Sequence, residues 1–367
     1  MLTENTRLLG LVEGFSPSVS VDSAHTPPSS WYTDSEVAEL ERASVFRRHW
    51  LAICCLDQLL EPGSYVSGDL AGEPYVVLRD DEGQLRAFYN VCQHHGACIM
   101  EGSGRAESLT CPYHGWTYGL DGCLNKAPQV GAIKDFRRSE FGLKPIKVRA
   151  WGPLVFIYLG EGEPPDLDEQ LKPLDMRLSE FGGALVHRHR KTYDLDCNWK
   201  VFADNYLDGG YHVDSIHPAL ASELDTGAYQ VETFDTFSIQ SCPSSADADG
   251  RLGGGALYAY VHPNLMLNRY GPVLDVNIVL PLGHDRCQVI FDYLFEDVPE
   301  VDDAFVEDCI ARSHQVQLED VAICASVQRG LHSSAYDKGR YAPGLEHAMH
   351  RFHRLLYGDY MAGLGKP

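Results

Sequence analysis

The spacing of apolar and polar positions divides the chain into segments of different texture. Residues 1–30 are rich in Ser, Pro and Gly and predict an extended arm. Thr33 followed by Glu36 spells a capping box, and the helix it opens carries Val37, Leu40, Val45 and Phe46 towards a core. From about Tyr65 to Tyr158, short apolar runs are broken by turns. PYVVLRDDEGQLRAFYN predicts a hairpin turning at Asp81 to Gly83, and GPLVFIYLG a further strand. That is the pattern of a small all-β domain. EGEPPDLDEQLKPL, Pro-rich and acidic, predicts a connector.

Beyond the connector, HRHRKTYDLDC reads as a strand and NWKVFADNYLDGGYHV as the start of a helix. YQVETFDTFSIQ, GALYAYVH, DVNIVLP and CQVIFDYLF follow with strand spacing, and helical stretches at about Asp302–Gln328 and Glu346–Tyr360 close the chain. Helices on one side of an antiparallel sheet predict an α+β fold. SSADADGRLGGG reads as a mobile loop, and no internal repeat is present. The boundaries this suggests are 1–44 for the arm and first helix, 45–160 for the β-domain and 161–367 for the α+β domain.

Charge narrows the function. Thirty basic against fifty-two acidic side chains give a net charge of −22, which repels nucleic acid and anionic membrane surfaces alike. No apolar run approaches the eighteen or so residues of a membrane span. The segment MLTENTRLLGLVEGFSPSVS lacks the basic start and apolar stretch of a signal peptide, so a cytoplasmic location is expected. In that compartment the eleven cysteines are expected to be buried or metal-bound rather than paired.

The strongest chemical signal is Cys92-Gln-His94 followed, sixteen residues on, by Cys111-Pro-Tyr-His114-Gly-Trp. Each half offers one thiolate and one imidazole, so two Cys on one iron and two His on the other give the ligation of a Rieske [2Fe–2S] cluster. A Cys₂His₂ zinc site is the competing reading, but zinc fingers place both cysteines in one half and both histidines in the other. Tyr113 stands where respiratory Rieske proteins carry a further loop cysteine, which points to an oxygenase. Cys98 and Cys123 are expected to be plain buried thiols, and His95 a neighbour of the site.

A second constellation is Asp204, Asp208, His212 and His217. The first three follow at steps of four, which a helix would place on one face. His217 lies about 140° further round an ideal helix, so the backbone must bulge or end, as Gly209, Gly210 and Pro218 permit. Two neutral imidazoles and one carboxylate leave iron open positions for O₂ and substrate. The carboxylate need not be local, since Glu319 and Asp320 stand together on the later helix. On spacing alone those acids read as a solvated helix N-terminal turn. Glu346-His347-Ala-Met-His350-Arg-Phe-His353 also looks metal-like but reads as a surface or interface helix.

With these motifs, CNWKVFADNYLDGGYHV, HPNLMLNRYGPVLDVNIVLPLG and the Gln-Arg-Gly-Leu helix, the chain from Trp31 to Tyr360 resembles the Rieske oxygenase α-subunits of the choline monooxygenase group. Carnitine and glycine-betaine oxygenases are related to that group. The resemblance implies an all-β Rieske domain inserted in a helix-grip catalytic domain, assembled as a head-to-tail homotrimer. It implies Cys92, His94, Cys111 and His114 as cluster ligands, and His212, His217 and Asp320, rather than Glu319, as ligands of a mononuclear Fe(II). Asp208 would be the acid that bridges the two centres across subunits, with Asp204 the second candidate. Electrons would come from NAD(P)H through a separate flavin and iron–sulfur reductase or ferredoxin, since no nucleotide-binding Gly-rich fingerprint is present. The substrate would be a small quaternary ammonium compound, with Tyr206, Tyr211, Tyr258, Tyr260, Tyr270 and Tyr293 as candidate cage walls. Val273, where relatives are expected to have Trp, predicts room for a substrate bulkier than choline. Hydroxylation or demethylation of an aromatic or natural product is the alternative.

Overall fold

The computed structural model describes residues 2–181, 183–245 and 255–366. Of the loop read in SSADADGRLGGG, residues 246–254 lie outside the described residues. Two compact units emerge, His49–Leu167 and Met1–Arg48 with Asp168–Pro367. Among the described residues no helix is long and apolar enough to cross a membrane.

The unit His49–Leu167 is all β. Its larger sheet runs in the order Leu51–Cys55, Leu154–Tyr158, Pro145–Trp151, Leu85–Tyr89, Glu73–Arg79, Ser64–Leu70 and Ser103–Arg105. A three-stranded sheet of Leu109–Thr110, Thr117–Tyr118 and Leu124–Lys126 stands beside it. The hairpin expected at Asp81 to Gly83 forms because the Asp80 carboxylate accepts the N–H groups of Glu82 and Gln84 at 3.0 and 2.7 Å, a side-chain imitation of a turn. Val76, Leu78, Phe88, Leu109, Trp116 and Tyr118 form a core around the Cys92 and Cys111 thiols.

The other unit is α+β. Its seven-stranded antiparallel sheet has the order Leu185–Leu195, Cys287–Glu296, Val273–Pro281, Leu265–Tyr270, Ala256–Val261, Phe237–Cys242 and Gln230–Thr233. Register places Tyr258 opposite Asn268, Asn268 opposite Asp275 and Asp275 opposite Tyr293. These four side chains therefore share one face across four strands. The helices Trp199–Tyr206, Asp303–Leu331 and His347–Gly363 pack against this sheet or one another.

Local expectations needed correction where tertiary contacts outweighed composition. The arm expected over residues 1–30 begins with a helix, Leu2–Val12. Arg7 on it pairs with Asp34 and Glu36, and Trp31 Nε1 donates to Leu11 O at 3.0 Å. The expected capping box is one residue out of place. Asp34 caps the helix Ser35–Ala43 by accepting Glu36 N at 2.9 Å, while Thr33 ends a preceding short helix. Val37, Leu40, Val45 and Phe46 are buried as expected. Half of the supposed connector is the helix Leu167–Ser179, with Pro173 inside it. YQVETFDTFSIQ is a hairpin of two strands rather than one. Cys98 and Cys123 are exposed. Their loops use the backbone for turns, as in Gly119 N donating to Cys123 O at 2.9 Å, and turn the side chains outward.

Of the histidines in Glu346–His353, read as a surface or interface helix, His347 is exposed but His350 and His353 are buried within the chain. His353 Nε2 meets Asp204 Oδ1 at 2.9 Å and its Nδ1 meets the Tyr341 hydroxyl at 2.6 Å. Burial pushes the His350 imidazole down to about 4, so it packs there neutral.

Candidate metal centres

In the β unit, two loops of matching construction present the first ligand set. Cys92 N donates to Ala97 O at 2.9 Å and Gly96 N to Cys92 O at 2.9 Å; Cys111 N donates to Trp116 O at 2.8 Å and Gly115 N to Cys111 O at 3.0 Å. The two turns, Cys-X-His-X-Gly in the first loop and Cys-X-X-His-Gly in the second, are thus closed by the same two backbone bonds. The thiols of Cys92 and Cys111 are buried, whereas His114 is exposed and His94 half-buried. His94 Nδ1 and His114 Nδ1 face each other at 3.2 Å, as two donors for one ion do. The Tyr118 hydroxyl accepts Gln93 N at 3.0 Å, which turns its own hydrogen towards Cys92 Sγ at 3.3 Å. The His94 ring stacks on buried Trp116, with centroids 4.7 Å apart and planes at 8°. His95 lies against His94 at 3.8 Å and is exposed. Paired buried thiols and paired outer imidazoles are the donor set that a Rieske cluster requires.

In the α+β unit, His212 Nε2 lies 3.1 Å from His217 Nε2, and Asp320 Oδ1 lies 3.1 Å from His217 Nε2 and 3.8 Å from His212 Nε2. These three are one of the groups among the described residues whose donor atoms converge closely enough to hold a single metal ion. Carboxylates hold the outer ring nitrogens. His212 Nδ1 donates to Asp208 Oδ2 at 2.6 Å and His217 Nδ1 to Glu319 Oε2 at 2.7 Å. This fixes the tautomer that leaves each Nε2 lone pair inward. Asn205 Nδ2 donates to Asp320 Oδ1 at 2.7 Å. Burial disfavours the His217 imidazolium, but Asp320 and Glu319 outweigh it and raise its pKa. Two imidazoles and a carboxylate on one side of an ion form the facial arrangement of non-haem iron.

The backbone reaches this geometry by abandoning the helix expected through Asp208 and His212. The helix ends at Tyr206, and Asp208 caps the following turn, accepting Gly210 N, Tyr211 N and His212 N at 3.0, 3.1 and 3.0 Å. Asp204, still helical, faces away and accepts the Tyr32 hydroxyl at 2.6 Å. Gly209 has φ +72° and no room for a side chain, since a Cβ would lie 2.3 Å from Leu345 O. Gly209→Ala should therefore cost about 2 kcal/mol or more. That would appear as a fall of several degrees in the melting midpoint, together with weaker iron retention. An unchanged midpoint would contradict the geometry.

A cavity of about 120 Å³ opens on the triad. Of the six tyrosines expected as walls, Tyr206, Tyr258 and Tyr270 line it. Tyr211 is 62% exposed and Tyr260 packs on Phe352, and neither lines it. Tyr293 stands behind, its hydroxyl 3.2 Å from Ser313 Oγ. Val273 shares their sheet face but is not part of the lining, so its small size does not enlarge this cavity. Sequence reasoning missed Tyr229, which stacks parallel to Tyr258 with centroids 6.5 Å apart, and Phe291. It also missed the polar residues Asp275, Asn277 and Gln317, each 2% exposed. An acid or amide at an otherwise apolar strand position, as in LDVNIVL, was the available signal.

Comparison with known proteins agrees with this chemistry. The Rieske [2Fe-2S] domain matches residues 49–137, and the catalytic domain of ring-hydroxylating alpha subunits matches 182–363. The chloroplastic choline monooxygenase of Arabidopsis thaliana is 46% identical over 362 residues, covering 95% of this chain and 86% of that protein. The carnitine monooxygenase oxygenase subunit of Acinetobacter baumannii is 28% identical over 354 residues, covering 93% and 94%. A solved quaternary ammonium Rieske monooxygenase, described for carnitine oxidation and inter-subunit electron transfer, superposes with a TM-score of 0.84 at 28% identity, covering 92% of this chain and 96% of its own. With both candidate ligand sets brought together and near-complete alignment to such relatives, the chain belongs to the Rieske non-haem iron oxygenase α-subunits, enzymes that carry a [2Fe–2S] cluster and a mononuclear iron.

Proposed function

We propose that this oxygenase hydroxylates a C–H bond of a small quaternary ammonium compound of the choline type. The observation that carries the reading is the cavity. It is small beside the few hundred Å³ of typical ligand sites, and its walls include Tyr206, Tyr229, Tyr258, Tyr270 and Phe291. Its charged lining is acidic or imidazole, with no Lys or Arg among the described lining residues. Aromatic faces attract a cation at about 0.5–2 kcal/mol each, and the acidic lining adds to that attraction.

Cys92, His94, Cys111 and His114 hold the cluster in this reading, and His212, His217 and Asp320 the iron. When bound, the cluster hands on single electrons and the iron activates O₂. For an alcohol carbon the balance is R–CH₂OH + O₂ + 2e⁻ + 2H⁺ → R–CH(OH)₂ + H₂O. At an N-methyl carbon the product is a hemiaminal that releases formaldehyde. A separate reductase or ferredoxin supplies the electrons. The active assembly is a homotrimer in which Asp208 links His212 to the neighbouring subunit's cluster. The relative described by inter-subunit electron transfer supports that arrangement. Eleven free cysteines fit a reducing compartment such as the cytoplasm.

The test is coupled O₂ consumption with choline, carnitine, glycine betaine and neutral isosteres, scoring aldehyde and formaldehyde separately. Cations should be oxidised at least about tenfold more efficiently, as one or two aromatic contacts imply. If the neutral compounds or aromatic substrates do equally well, the ammonium reading fails and the natural-product alternative replaces it.

A further inference from the structure

Resting on the ammonium reading, we propose that the cavity recognises its substrate at two points. Asp275 faces the ammonium group, and the Gln317 and Asn277 amide nitrogens donate to a substrate oxygen.

The helix Asp303–Leu331 orders these points. Ser313, Gln317 and Asp320 stand at i, i+4 and i+7, on one face, and all three line the cavity. At 1.5 Å per residue, Gln317 lies about 4.5 Å and Ser313 about 10 Å along the axis from Asp320. Ser313 Oγ is 3.2 Å from Asp275 Oδ2. Asp275 thus marks the end of the cavity away from the iron ligands, and Gln317 the part nearest them.

Each point has chemistry suited to its role. The Asp275 carboxylate accepts the Tyr270 and Ser313 hydroxyls, which hold its oxygens in place at the cavity wall. Asn268 lies opposite Asp275 on the neighbouring strand with Tyr258 one strand further on, and Tyr270, which bonds it directly, is an aromatic wall of the same cavity. Gln317 Nε2 and Asn277 Nδ2 are buried donors with no partner among the described residues. Asn277 Oδ1 is already taken by Asn268 Nδ2 at 2.9 Å, and Asn268 Oδ1 by the Tyr206 hydroxyl at 2.8 Å. That chain leaves the Asn277 N–H₂ as its free end. Buried donors without acceptors are costly, and an oxygen-bearing ligand satisfies them. The preferred substrate is therefore a cation with a hydroxyl or carboxylate oxygen a few bonds from its nitrogen, its oxygen end towards the iron ligands.

The experiment measures dissociation constants of choline, its neutral carbon isostere 3,3-dimethylbutan-1-ol and ethyltrimethylammonium, which lacks the oxygen. Wild-type holoenzyme is compared with Asp275→Asn and Gln317→Leu. Asp275→Asn should weaken choline at least about thirtyfold and leave the neutral alcohol within about threefold, collapsing the charge preference. Gln317→Leu should erase the advantage of choline over ethyltrimethylammonium while retaining the charge preference. These are ratios within one variant, so partial misfolding does not mimic them. Asp275→Ser gives the same reading should the asparagine variant not accumulate. Should the wild type bind choline and the neutral alcohol alike, the ammonium reading itself is wrong. A wild-type charge preference that survives loss of the Asp275 carboxylate overturns this proposal alone and assigns the cation to the aromatic walls.

Discussion

Asp320→Ala should empty the catalytic iron site and abolish hydroxylation while the red-brown cluster spectrum persists. Asp320 Oδ1 stands 3.1 and 3.8 Å from the inward nitrogens of His217 and His212 and is held there by Asn205. Without it only two neutral imidazoles remain, too few for the three-donor face that iron of this type needs. Glu319→Ala is the informative contrast, because Glu319 touches His217 through Nδ1, on the far side of the ring from the converging donors. It should keep all three donors but free the ring to turn, at a cost of roughly 10–100-fold in iron affinity. Iron per chain after anaerobic loading, with the cluster EPR signal as internal standard, separates the two. Retained iron in Asp320→Ala beside loss in Glu319→Ala would exchange the roles of the neighbouring acids.

How far the sequence reveals such a site depends on how locally it is built. Cys92 to Gly96 and Cys111 to Gly115 are self-contained turns, each closed by its own backbone bonds, so spacing alone exposes the candidate cluster ligands. His212 and His217 are likewise close in sequence, although the helix drawn through them gives way to the Asp208 cap and a glycine turn. Asp320 is about a hundred residues away, and spacing assigns it to a solvated helix start. The helix begins at Asp303, as its own pattern predicts, so Asp320 lies well inside it on a covered face rather than at a solvated start, and only resemblance singled it out as a candidate ligand. The cavity was least legible. The strand Val273–Pro281 is buried at eight of its nine positions, so alternation does not tell which side chains meet the cavity. Tyr229, in the irregular segment after the 3₁₀ turn Thr226–Ala228, carries no periodic signal at all.

Asp208→Asn should stop electrons passing between the centres while both remain loaded. The carboxylate uses both oxygens as acceptors. Oδ1 takes Gly210 N and Tyr211 N, and Oδ2 takes His212 N and His212 Nδ1. An asparagine can present one acceptor only, so whichever way it turns, its N–H₂ meets two N–H groups. The mismatch costs about 1–3 kcal/mol and releases the His212 ring from the orientation the negative charge imposed. Iron should still bind when supplied in excess, because His212 Nε2, His217 and Asp320 are untouched. With the chemically reduced enzyme, single-turnover oxidation of the cluster should slow by about 100-fold or more, the upper range for loss of a carboxylate behind a metal-bound imidazole. Asp204→Asn provides the control. Asp204 binds Tyr32 and His353, so its loss should lower stability without changing the transfer rate. If Asp208→Asn turns over at the wild-type rate and Asp204→Asn does not, the path between the metals runs through Asp204 and His353.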